Sequence, residues 1–170
     1  MEPNQSLEPW LRGTLSDVPA VPRAILHALE LAKEDLHRWC GSLSDAELNA
    51  RPAGLAPMAF HIRHIARSLD RLLTYAEGNQ LSANQIAMMK TEFGTSAQRE
   101  DLFAELDAAL GKSVERIGAF DLARLNEPRE VGQEKLPTTL GGLLVHLADH
   151  TQRYVGQAIT TSKIVLAQGS

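Results

Sequence analysis

Imidazole is the side chain here best suited to holding a metal ion, and three of the six histidines are spaced for it. His146 and His150 are four residues apart. On a helix that puts them one turn apart, roughly 6 Å along the axis and on nearly the same side. His64 lies in a different segment, close to an apolar stripe. Two imidazoles on one helix and a third from a facing helix can share one ion inside a bundle. Neutral imidazole suits Zn, Ni, Fe or Cu, and binding order alone does not choose among them. The HxxxH spacing by itself is a weak motif, because Leu147 follows His146 where the metalloprotease pattern requires Glu. A single helical histidine is usually a surface or satisfied core residue, so only the conjunction of the three points to a metal.

Other polar residues are weaker candidates. Asp70 and Asp149 could orient an imidazole from behind, although each suits an exposed helical position as well. Arg63, Arg67 and Arg153 flank the histidines and could meet an anionic substrate or pair with nearby acids. Gln157 is placed to bond Tyr154, and Gly156 to permit a close helix contact. His27, His37 and His61 have no partner readable from the sequence. Cys40, beside Trp39, fits a packed thiol. A Gly-rich phosphate loop and a GxSxG nucleophile elbow are both absent from the sequence.

Helices must position these groups. Ile25, Leu29, Ala32, Leu36 and Trp39 recur at spacings of three and four and predict a helix over about Pro22–Trp39. Met58, Ile62, Ile65, Leu69, Leu72 and Leu73 predict a second, about Pro57–Ala76, which Gly78 would stop. Leu102, Leu106, Leu110, Val114 and Ile117 predict a third, about Arg99–Ile117. Leu140, Leu143, Leu144, Leu147, His150, Tyr154 and Ala158 predict a fourth, about Thr138–Leu166. Ser44 and Glu47 can form a capping box on a short turn. A short helix is expected around Ile86–Lys90, and strand signals are weak. The fold class is therefore all-α, a four-helix bundle whose long links permit crossover connections. Residues 1–18 are expected to wrap the bundle, docking through Trp10 and Leu11, and residues 19–170 to form the bundle domain.

With 170 residues the chain is long enough for one domain with a substantial core. A net charge of -4 and scattered Lys and Arg argue against nucleic acid as a partner. No apolar stretch has the length of a membrane span. MEPNQSLEPW lacks the basic flank and apolar run of a signal peptide. A lone cysteine excludes an internal disulfide and suits a reducing, cytoplasmic setting.

The stretch from Phe60 to Asp70, FHIRHIARSLD, resembles the second-helix motif of the DinB-like (DinB/YfiT) superfamily. The stretch from His146 to Gln157, HLADHTQRYVGQ, resembles its fourth-helix motif, and Leu43–Pro52 is in keeping with the same family. This similarity extends from about Pro19 onward. It implies a four-helix bundle with crossovers and a divalent metal, often Zn, Ni or Fe, held by three histidines. By that pattern His64 is the second-helix ligand and His150 the first ligand of the fourth helix. The remaining ligand falls four residues later, where this chain has Tyr154. Three readings are then open. Tyr154 binds as a phenolate, which requires the metal to drive deprotonation; His146 substitutes for it; or the site is degenerate.

The resemblance also implies activities. Relatives include metal-dependent thiol transferases, an isomerase using a low-molecular-weight thiol, and a domain of ergothioneine synthases. The expectation is a metal-dependent, thiol-transferase-like enzyme with a small-molecule substrate and a low-molecular-weight thiol, paired as a homodimer. The alternative is a non-catalytic small-molecule-binding or stress-response bundle whose metal site Tyr154 has closed.

Overall fold

The computed structural model describes residues 7–94 and 96–168. Its long elements are α1 (Ala20–Cys40), α3 (Met58–Ala76), α5 (Arg99–Gly118) and α6 (Leu140–Gln168). Between them lie the short helices α2 (Asp45–Asn49) and α4 (Ala83–Thr91), and a hairpin of β1 (Pro128–Val131) and β2 (Leu136–Thr139).

Each long helix follows its apolar spacing. Ile25, Leu29, Ala32 and Leu36 of α1 are buried, as are Met58, Ile62, Ile65, Leu69 and Leu73 of α3. α3 packs against both α5 and α6, and α1 packs mainly against α6. It is therefore buried over most of its circumference, as a helix with neighbours on two sides must be. Going round the bundle the order is α1, α6, α3, α5, with α5 returning to α1. The consecutive helices α1 and α3 are thus diagonal, and so are α5 and α6. Both links are crossovers, and they put the two histidine-bearing helices side by side.

Local signals fix the helix ends. Capping boxes start α2 at Ser44–Glu47 and α4 at Ser82–Gln85. The Thr139 hydroxyl accepts from the Gly142 N–H at 3.0 Å where α6 begins. A Cβ on Gly142 would lie 2.9 Å from the Thr138 hydroxyl, and one on Gly141 3.1 Å from the Leu125 carbonyl. These two glycines let the incoming chain cross the start of α6. Gly156, expected to serve such a contact, faces open space instead.

The hairpin is a feature the weak strand signal did not predict. Its antiparallel register pairs Pro128 with Thr139 and Val131 with Leu136. Arg129 Nε anchors it by donating to the Ala76 carbonyl at 2.6 Å, at the C-terminus of α3. The N-terminal extension also docks differently from expectation. Trp10 is 62% exposed and Leu11 50%. Pro9 is buried in their place, and the shielded Arg12 guanidinium reaches Glu34 at 2.7 Å and Glu30 at 3.1 Å on α1. The Trp10 ring stays at the surface with its N–H donating to Glu8 at 2.7 Å, whereas the Arg12 guanidinium meets two carboxylates one turn apart. Residues 1–6 of this extension lie outside the described residues. Among those described, no helix is long and apolar enough to cross a membrane.

Candidate metal centre

α3 presents Phe60, His61, His64 and Ser68 towards α6, and α6 presents His150 and Tyr154 in return. His64 Nε2 and His150 Nε2 face one another at 3.3 Å. The opposite nitrogen of each ring is held. His64 Nδ1 lies 2.7 Å from Glu92 Oε2, and His150 Nδ1 lies 3.4 Å from Ser68 Oγ.

These contacts assign the protons. A carboxylate only accepts, so Nδ1–H of His64 donates to Glu92. Ser68 Oγ already donates to the Ile65 carbonyl at 3.1 Å, which leaves it to accept from Nδ1–H of His150. Both facing Nε2 atoms then carry lone pairs. Two lone pairs at this distance repel unless a positive species lies between them, either a proton or a metal cation. The 3.3 Å separation accommodates either one: it is within hydrogen-bond reach for a proton on one Nε2, and it suits two ligands of one ion. The donor set therefore fits a cation.

Glu92 is the anchor of this arrangement. It is buried, and its other oxygen pairs with Arg71 Nη1. Burial works against the carboxylate's charge, but hydrogen bonds from His64 and Arg71 outweigh it and hold Glu92 below the ordinary carboxylate range. Arg63 Nη1 also donates to the Glu92 backbone carbonyl at 2.9 Å. A carboxylate behind a ligand imidazole fixes its tautomer and raises its basicity. Burial, followed by the neighbouring His64, His146 and arginines, pushes His150 down to about 4, so its ring is neutral at pH 7 and open to a metal.

Aromatic rings close the site. Tyr154 is half-buried, with its ring centroid 4.2 Å from that of His64 and 4.8 Å from that of His150. Phe60 stacks on His64 at 5.4 Å. His61 lies 5.8 Å from Tyr154 and is buried, with no partner for Nδ1.

His146 stands apart. Its ring is 5.5 Å from His150, but its side chain is 47% exposed and its Nδ1 is 4.0 Å from Asp149. Among the described residues, no three His, Cys, Asp or Glu side chains converge on one point. The structure thus joins His64, His150 and Tyr154, and leaves His146 at the rim. The other candidates are occupied elsewhere. Asp70 pairs with Arg116, Arg67 with Glu105, and Arg153 with Asp149. His27 meets Thr14, and His37 meets Asp107. Cys40 is a packed thiol, pushed up to about 12 by burial. Glu92 and Arg71 carried no signal in the sequence, because Glu92 reaches His64 only through the turn that follows α4.

The DinB superfamily pattern matches residues 28–158, which takes in both histidine helices. The chain belongs to the DinB superfamily. A crystal structure of a conserved protein from Enterococcus faecalis is similar in fold, with a TM-score of 0.71 at 19% identity. The similarity covers 88% of this chain and 99% of that one. No curated protein matches the chain. The matched span includes His64 on α3 and His150 on α6, which meet, and Tyr154, which lies beside them.

Proposed function

We propose that His64 and His150 are two ligands of a divalent metal ion, Zn, Ni or Fe, in a thiol-transferase-like enzyme. The reading rests on the two facing Nε2 lone pairs at 3.3 Å. Tetrahedral bonds of about 2.0–2.1 Å, as zinc makes to histidine, separate two such nitrogens by about 3.3 Å. A bound divalent ion lowers the pKa of a coordinated thiol or water and so supplies a nucleophile at neutral pH.

The chain's own residues divide the remaining work. Glu92 orients His64, and Arg71 keeps Glu92 ionised. Ser68 holds the tautomer of His150. Phe60 and Tyr154 shield the pair from water. Arg153 pairs with the exposed Asp149 carboxylate and can exchange that partner for a carboxylate of the incoming thiol.

Elemental analysis of untagged protein tests this reading, with His150→Ala beside it. About one ion per chain, lost in the variant, is the expected result. No ion after incubation with Zn, Ni and Fe(II) would overturn it. That result would favour the second reading, a metal-free small-molecule-binding bundle, for which the observation is Tyr154 standing where a third histidine is expected.

A further inference from the structure

α4 is attached to the bundle differently from the long helices. None of its residues is buried, whereas even the five-residue α2 buries Leu48. From Ala83 to Gly94 the one buried residue is Glu92, just past the helix end. The segment packs against α3 without a fully buried apolar side chain of its own.

Polar bonds hold it instead, and most converge on its C-terminal end. Arg67 donates to the Met88 carbonyl at 3.1 Å, and Arg63 to the Glu92 carbonyl at 2.9 Å. Arg51 donates to the Phe93 carbonyl at 3.3 Å, with its guanidinium 4.7 Å from the Phe93 ring centroid. The Glu92 carboxylate reaches furthest inward, shared between Arg71 and His64. At the other end Gln85 donates to Asp70 at 2.6 Å and to the Thr74 hydroxyl at 2.8 Å. Water can replace bonds of this kind when the segment lifts, so their net contribution is small. It cannot replace the buried apolar area that holds the long helices. Elements with few buried apolar contacts open locally, ahead of global unfolding.

We propose that residues 83–93 form a strap that lifts from α3 as one unit while the bundle stays folded, with Glu92 as its latch on His64. The capping box at Ser82 and Gln85 lies within the strap and is kept as it moves. Lifting withdraws the carboxylate that orients the His64 ring and leaves Nδ1 without its partner. A cation on Nε2 makes Nδ1–H a stronger donor to Glu92, so an occupied centre holds the strap down. By linkage a lifted strap weakens the hold on the cation to the same degree. Glu92 is thus a positioning residue whose place depends on a movable helix. The lifting does not depend on the metal reading; only its coupling to the cation rests on that reading.

Hydrogen exchange followed by mass spectrometry tests the strap on the full-length, chelator-treated protein at pH 7. Amides of α4 should exchange at least about 100-fold faster than interior amides of α5. Lifting exposes little surface, so urea below the unfolding transition should hardly change the α4 rates while it raises those of α5. Glu92→Gln weakens the latch and should speed α4 exchange about tenfold or more, which fraying within α4 alone would not do. Equal rates in the two helices, an equal response to urea, or unchanged α4 exchange in Glu92→Gln would each overturn the strap. Zinc added to the wild type should slow exchange in α4. Zinc bound without slowing would overturn the coupling. If elemental analysis finds no bound zinc, the metal reading and the coupling both fail, and the metal-free comparison still decides on the strap.

Discussion

Acidification should destabilise this protein through His61. The ring is 4% exposed, and Nδ1 has no partner. Burial, with a smaller contribution from His64, lowers its pKa from 6.5 to about 4, while the Ala56 backbone opposes the shift weakly. The unfolded chain, with the ordinary value, takes up a proton between about pH 6.5 and 4 while the folded protein does not. Stability is therefore full above pH 6.5 and is lost as pH falls through that window. The complete loss is about 3 kcal/mol, of which about 2 kcal/mol has gone by pH 5. For a chain of this length that corresponds to a Tm lower by roughly 4–8 °C. Urea unfolding at about pH 7.5 and pH 5 measures it, with His61→Gln as reference. Other groups, His150 among them, titrate in both proteins and cancel in the comparison. Wild type should lose about 2 kcal/mol more than the variant on acidification. The variant's absolute stability is immaterial, because only the change with pH is read. Equal losses in the two proteins would refute the claim that His61 is held neutral by burial.

Glu92→Ala should cost about 3–5 kcal/mol in urea unfolding, because it leaves the buried Arg71 without its carboxylate. A loss below about 1 kcal/mol would mean the pair is solvated. Glu92→Gln keeps an acceptor near His64 and should spare more of the fold, while lowering zinc affinity about 10- to 100-fold in competition with a chelator. Tyr154→His offers a third imidazole to the histidine pair and should raise zinc affinity at least tenfold, so unchanged affinity would count against an open ligand position there. Leu69→Ala removes a fully buried side chain from α3 and should cost about 2–5 kcal/mol, read as a lower urea midpoint with little change in slope.

The four long helices were legible because each carries its own apolar repeat. The expected spans Pro57–Ala76 and Arg99–Ile117 differ from the observed α3 and α5 by about one residue at an end. The capping box at Ser44 and Glu47 was legible because its bonds close within four residues. The hairpin was missed because Pro128–Val131 and Leu136–Thr139 are short and contain no fully buried residue, so no run of apolar core positions marks them. Trp10 misled because size and apolarity say nothing about whether a groove awaits the ring. At the site, the spacing of His146 and His150 was visible but did not reveal which of them turns inward.

By itself the sequence determined the helical class, the helix boundaries and the two segments that bear the histidines, since these follow from periodicity and short-range bonding. Only the tertiary structure decided which groups meet. The diagonal connections set α3 beside α6 and bring His64 to His150 across 86 positions of chain. The turn after α4 carries Glu92 back to His64 across 28. Such contacts depend on how whole helices pack, and no local pattern of residues encodes a partner that distant.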